Sequence, residues 1–203
     1  SEIKGTVSAP ASKSVMQRAV AYALLAQGES LLVNPSFCDD SIAAMEVAES
    51  LGASVKRRSD FVAVRGGLNP AAGILNCGES GLCIRMFTPV ASLTGEKITL
   101  TGEGSLVKRP VSSIEDSLSR LGVAVRSHNG CLPLEISGKL QGGEIEIDGS
   151  LSSQNLTGLL IALPAAEGNS IVRVKNLKSR EYVDLTIEVL ANFGVIIENN
   201  GYT

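Results

Sequence analysis

Three glycines divide this chain into near-copies of one unit, and that repetition limits the folds open to it more than any other feature. Leu51-Gly52-Ala53-Ser54-Val55 returns as Leu121-Gly122-Val123-Ala124-Val125 and again as Phe193-Gly194-Val195-Ile196-Ile197, with the glycines 70 and 72 residues apart. Each stands where a helix should end, a place that favours glycine because the backbone turns left-handed there. Each also leads into a run that reads as a strand. Polar links follow the first two runs: Arg57-Arg58-Ser59-Asp60 before Phe61 to Val64, and His128-Asn129-Gly130 before Leu132 to Ile136. Asn-Gly is a strong hairpin signal. The third link, Asn199-Asn200-Gly201, has only Tyr202 and Thr203 after it, which reads as a hairpin cut from a longer chain.

A second series, Gly28, Gly95 and Gly168, closes another set of helices and precedes strands near 30–33, 97–100 and 170–174. Further helices are expected near Asp39, Pro110 and Glu181. The one at Pro110 is amphipathic, with Val111, Ile114, Leu118 and Leu121 on one stripe, and Pro110 suits its first helical position. Strands at 73–77 and 144–147 complete the second and third units. The expected class is α/β (α+β). Three βαβαββ repeats, about 12–67, 72–138 and 143–203, the last truncated, form a single domain over 12–203.

The first helix of each unit is apolar on nearly every side. From Val15 to Ala26 the polar groups are Gln17, Arg18 and the Tyr22 hydroxyl; from Leu82 to Leu93 they are Arg85, Thr88 and Ser92. Such helices belong in an interior, and three packed in parallel bring three N-termini to one surface. Each end carries about half a positive charge and free N–H groups, so that surface would trap anions. Cations stand there too, against the macrodipole: Lys13 between Ser12 and Ser14 with Arg18 a turn on, and Lys108-Arg109 before Pro110. Gly78-Glu79-Ser80-Gly81 opens the second apolar helix, and Ser152-Ser153-Gln154 opens the third with hydroxyls and an amide. Plainer readings stand beside these. Ser12 or Ser14, the Ser152-Ser153 pair and Ser179 can be N-caps, Lys13 and Arg18 surface charges, and Arg85 the ion-pair partner of Glu79, since unpaired buried charge is costly.

Other functions are excluded by what is missing. Only 3% of the 203 residues are aromatic and the net charge is -3, so there is neither a stacking platform nor a basic field for nucleic acid. Four cysteines form no CxxC pair, and His128 is the only histidine; no metal and no cofactor are expected, and reduced thiols fit a cytoplasmic location. The apolar stretch 19–33 is broken by Gln27-Gly28-Glu29 and is too short for a bilayer. His128 falls in a turn, which leaves a Ser-His-Asp triad without a base, and no GxxxxGK[ST] or GxGxxG motif occurs.

Pro10-Ala11-Ser12-Lys13-Ser14 with Arg18, Asp39-Asp40, Gly78 to Arg85, Gly102 to Pro110, Gly149 to Gln154 and Ser179 to Asp184 resemble, in order, the motifs of the 5-enolpyruvylshikimate-3-phosphate (EPSP) synthase family. The resemblance covers nearly the whole chain and implies one domain of the two-domain enolpyruvyl transferase fold, with 1–11 as the N-terminal strand that in the family packs into the other domain. It implies addition of the enolpyruvyl group of phosphoenolpyruvate to the 5-hydroxyl of shikimate 3-phosphate, through a tetrahedral intermediate that expels phosphate. By motif, Lys13 serves both substrates, and Ser14 and Arg18 hold the carboxylate and hydroxyl side of shikimate 3-phosphate. Ser152, Ser153 and Ser179 take its phosphate, Gln154 and Tyr182 line its ring, and the Gly81 backbone and Arg109 bind phosphoenolpyruvate.

The resemblance also implies that the proton-transfer groups lie in a second domain supplied in cis, that the intact enzyme is monomeric, and that this half binds shikimate 3-phosphate without turnover. The family commonly has Asn-Ala-Gly-Thr where this chain has Glu79-Ser80-Gly81-Leu82; an acid there opposes phosphoenolpyruvate unless Arg85 or Lys108 neutralises it. Two alternatives stay open. The sister transferase acting on UDP-N-acetylglucosamine shares an Arg-Pro-Val segment (Arg109 to Val111) but has a reactive cysteine where this chain has Gly104-Ser105-Leu106, and Lys-Asn in place of Lys13-Ser14. The other is a non-catalytic anion-binding scaffold on the same repeat.

Overall fold

The computed structural model describes residues 4–150 and 152–201. In chain order the elements are α1 (Lys13–Leu25), β1 (Glu29–Val33), α2 (Asp39–Ser50), β2 (Ser54–Arg57), β3 (Phe61–Arg65), β4 (Ile74–Asn76), α3 (Gly81–Ser92), β5 (Ile98–Thr101), α4 (Ser112–Ser119), β6 (Ala124–His128), β7 (Cys131–Ser137), β8 (Glu144–Asp148), α5 (Gln154–Ala162), β9 (Ile171–Lys175) and α6 (Arg180–Asn192). Among the described residues no helix is long and apolar enough to cross a membrane.

The strands fall into separate small sheets that follow one plan. β1 and β2 both pair antiparallel with β3. In the next unit β5 and β6 both pair antiparallel with β7, and β4 adds in parallel on the other side of β5. In the last, β8 and β9 pair in parallel, as β4 and β5 do. The strand after each apolar helix thus takes the second hairpin strand as its partner in the first two units. Asn129 and Gly130 both have positive φ, 51° and 76°, as the tight turn between β6 and β7 requires. Gly52 stands directly after the C-cap of α2 at φ 114°, and a Cβ there would lie 2.7 Å from the Asn69 carbonyl.

The interior belongs to the helices that open each unit. α1 buries Met16 to Ala21, Ala23 and Leu24. All of α3 is buried except Arg85, and α5 buries Leu156 to Leu159, Ile161 and Ala162. The three touch one another, α3 against α5 most extensively. Pro89 has no N–H to give the Arg85 carbonyl, and the bare backbone of Gly158 packs on that carbonyl: a Cβ on Gly158 would stand 2.2 Å from it and 2.9 Å from Pro89 Cγ. That contact sets the spacing of α3 and α5.

Three local expectations fail. Pro110 is not the first helical residue: α4 begins at Ser112 with Val111 as its cap, because the Val111 N–H is already given to the Gly130 carbonyl of the β6–β7 turn. Residues 195–197 form no strand; the two residues after Gly201, where a hairpin partner would begin, lie outside the described residues. Residues 4–11 are not a strand either. They join no ladder and are almost entirely exposed, and the rest of the expected 1–11 strand lies outside the described residues.

Candidate functional site

The starts of α1, α3 and α5 meet at one open cavity of about 550 Å³. Each start is built by a serine. Ser12 Oγ accepts the Val15 N–H at 3.3 Å, Ser80 Oγ accepts the Cys83 N–H at 3.2 Å, and Ser152 Oγ accepts the Gln154 N–H at 3.1 Å. The first-turn N–H groups that remain have no intrahelical partner, and residues of all three first turns line the cavity. Lys13, Ser14, Arg18, Gly81, Arg109, Ser152, Ser153, Gln154, Ser179 and Tyr182, drawn from five separated segments, all line it.

Arg18 is the most unusual group in the molecule. Its side chain is 1% exposed, yet every partner it has among the described residues is a neutral oxygen. Nε donates to Thr186 Oγ1 at 2.8 Å, Nη1 to the Ser14 carbonyl at 2.8 Å, and Nη2 to Thr157 Oγ1 at 3.2 Å and the Tyr182 carbonyl at 3.4 Å. One Nη1 proton is left over. Burial pulls the guanidinium down to about 10, and the Tyr182 ring lies 5.9 Å from Cζ. A cation this deep with no carboxylate to balance it leaves a positive field in the cavity.

Lys13 has a partner in the chain: its Nζ donates to Asp40 at 2.8 Å. The bond to Asp40, and then its charge, hold the ammonium above its ordinary value. Asp40 sits in the first turn of α2, where helix electrostatics favour an acid, so each residue has a physical reason to be there. Asp40, Gln17, Leu82, Glu79 and Ser105 also line the cavity, and motif reading assigned none of them a binding role.

The second cationic group surrounds Gly81. A Cβ at that position would meet Arg109 Nη1 at 2.7 Å, Arg85 Nη1 at 3.3 Å and Gln154 Oε1 at 3.5 Å. Arg85 does not pair with Glu79. It donates to the Gly81 carbonyl at 2.9 Å and the Pro110 carbonyl at 3.1 Å, and burial, then the charge of Arg109, lower its pKa. Glu79 is neutralised by neither Arg85 nor Lys108; its carboxylate accepts the Ser105 N–H at 3.1 Å and packs over Gly104, where φ is 51°. The acid thereby caps the turn, Gly104 to Lys108, that carries Arg109.

The third helix start supplies hydroxyls. Ser153 is 4% exposed and makes no cap bond. Ser179 precedes α6 but does not cap it either, since its left-handed backbone (φ 57°) turns the side chain away from that role. Both hydroxyls are left to the cavity. Taken together, the space offers fixed cations on two sides, free helix N–H groups and hydroxyl donors. That is the equipment for a ligand carrying a phosphate and a carboxylate.

A family model described as EPSP synthase (3-phosphoshikimate 1-carboxyvinyltransferase) matches residues 1–203. The 3-phosphoshikimate 1-carboxyvinyltransferase of Methanocorpusculum labreanum is 39% identical over 100% of this chain and 50% of its own length. That of Clostridium kluyveri is 38% identical over 99% of this chain and 48% of its own. A solved EPSP synthase from Acinetobacter baumannii superposes with a TM-score of 0.87 at 26% identity, covering 98% of this chain and 45% of that one. The chain thus spans about half the length of the curated relatives it matches.

Proposed function

This chain belongs to the EPSP synthase family, and from that premise we propose that its cavity holds shikimate 3-phosphate as half of an enolpyruvyl transferase site. The whole reaction transfers the enolpyruvyl group of phosphoenolpyruvate to the 5-hydroxyl of shikimate 3-phosphate and releases phosphate. The observation that carries the reading is Arg18, a buried guanidinium without an acid partner among the described residues, at a cavity where three helices begin. Such a charge is best explained by an anion that arrives later.

In this reading Arg18 and Ser14 take the carboxylate and ring hydroxyl side of shikimate 3-phosphate. Ser152, Ser153 and Ser179 take its phosphate, and Gln154 and Tyr182 flank the ring. Phosphoenolpyruvate lies against the Gly81 backbone and Arg109, and Lys13 stands between the two substrates. Charge-assisted hydrogen bonds then supply affinity and hold the hydroxyl toward the phosphate-bearing carbon of phosphoenolpyruvate. The proton-transfer groups belong to a second domain in cis, which relatives of twice this span have room for. The intact protein is proposed to be monomeric and cytoplasmic, with no cofactor.

Titrating the chain with shikimate 3-phosphate while following backbone amides by NMR tests this. Amides around Lys13, Ser153 and Ser179 should shift together and saturate, with no phosphate released when phosphoenolpyruvate is added. A spectrum unchanged at millimolar ligand would overturn the proposal.

A further inference from the structure

Gln17 carries no charge, yet it is among the most deeply buried polar side chains at the site. It is 1% exposed, lies on α1 between Lys13 and Arg18, and lines the cavity. Its Oε1 is 2.9 Å from Ser80 Oγ, across the gap between the starts of α1 and α3. The orientation of the amide follows from Ser80, which is itself 1% exposed. Ser80 Oγ accepts the Cys83 N–H, and its own O–H proton needs an acceptor. Gln17 is the acceptor at hand. Turning the amide over would bury that proton without one. The oxygen of Gln17 is therefore committed to α3, and its Nε2 has no partner among the described residues. A buried nitrogen sealed from solvent would be left unsatisfied, yet the one such side-chain atom among the described residues is Ser170 Oγ; Nε2 therefore reaches the cavity.

We infer that Gln17 is a ligand-binding residue: its Nε2H2 group donates to an oxygen of the bound substrate at the junction of the α1 and α3 starts. The inference rests on the proposed shikimate 3-phosphate reading and assigns to it a neutral donor between the flanking cations Lys13, Arg18 and Arg109. A cation at this point would add to charge that is already uncompensated at Arg18. An acceptor would repel the ligand. A primary amide, locked by Ser80, gives two N–H groups in a fixed direction without further charge. It also couples ligand contact to the spacing of the two helix starts, since its oxygen and nitrogen serve α3 and the ligand at once.

The test uses this chain, with shikimate 3-phosphate and inorganic phosphate as probes. The Gln17 side-chain NH2 resonances of the parent should shift on titration with shikimate 3-phosphate, in step with the backbone amides. Gln17→Met should raise the dissociation constant about tenfold, the loss of one good hydrogen bond to a charged ligand. Gln17→Glu keeps the acceptor for Ser80 and removes the donors. Its dissociation constant, divided by that of the parent at the same pH, should fall as the pH is lowered and the carboxyl regains a proton to donate. Charge repulsion between that carboxylate and the ligand would give the same trend without contact, so the shift of the parent's own Gln17 NH2 signals is the readout that a merely structural Gln17 would not give. If the parent binds but its Gln17 NH2 signals stay fixed and Gln17→Glu binds as tightly as the parent at every pH, this inference fails while the substrate reading stands. If the parent itself binds nothing, both fall.

Discussion

Arg18 shows how a single residue can be positioned against the stability of the chain that holds it. The guanidinium is buried among two threonine hydroxyls and two carbonyls, and none of these carries a full negative charge. Removing it would not orphan them. Thr186 Oγ1 also donates to the Tyr182 carbonyl, and Thr157 Oγ1 to the Ser153 carbonyl. Arg18→Met should therefore leave ligand-free stability within about 1 kcal/mol of the parent in urea denaturation. It should weaken shikimate 3-phosphate binding about 10- to 100-fold, the size of a lost charge-assisted bond. A drop of several kcal/mol in the ligand-free variant would make Arg18 a structural residue instead. The sequence pointed to Arg18 because it interrupts an apolar helix; it could not point to Thr157 and Thr186, whose partnership depends on α5 and α6 meeting over α1. The plainer reading of Glu79 as a partner for Arg85 fails for a related reason. A charge about two turns from Arg85 invites a pair, but the donor its carboxylate accepts from is the Ser105 backbone, 26 residues away.

At the level of elements, periodicity and punctuation carried most of the information. The glycines after α2 and α4, the Asn-Gly turn and the all-round apolar helices each follow from local chemistry, and each appears where the chain places it. What periodicity could not show is how closely two helices approach. Gly158 reads as one weak spot in a helix, and its purpose emerges only against the Arg85 carbonyl left open by Pro89. Gly158→Ala should force α3 and α5 apart, since a methyl at 2.2 Å from a carbonyl oxygen has no room. Overpacking of this kind costs about 1–3 kcal/mol, measurable as a lowered denaturation midpoint. Because Gly81 leads α3 and Ser152 to Gln154 lead α5, the same change should also weaken anion binding; full retention of affinity would show that the site does not depend on that spacing.

Across the whole molecule, the three repeats turn a local property, the positive end of a helix, into a collective one. No single start is remarkable for its chemistry, since serine caps on helices are common. Three starts at one cavity, with Lys13, Arg18 and Arg109 on its walls, concentrate a positive field in a chain whose net charge is -3. That arrangement stores unfavourable electrostatics in the ligand-free state and predicts a large response to the right anion. With shikimate 3-phosphate at one hundred times its dissociation constant, the native state gains about 2.7 kcal/mol. For a chain of this size each kcal/mol moves the melting temperature by about 2–4 °C, so the midpoint should rise by about 5–10 °C. Inorganic phosphate at the same concentration should shift it less, because it reaches only part of the cavity, and Arg18→Met should lose between about half and five-sixths of the shift despite melting near the parent without ligand. Differential scanning calorimetry across these conditions separates the field from the fold: equal shifts for parent and variant would mean that Arg18 takes no part in the anion site, and no shift for either would mean that the convergent helix starts hold no anion.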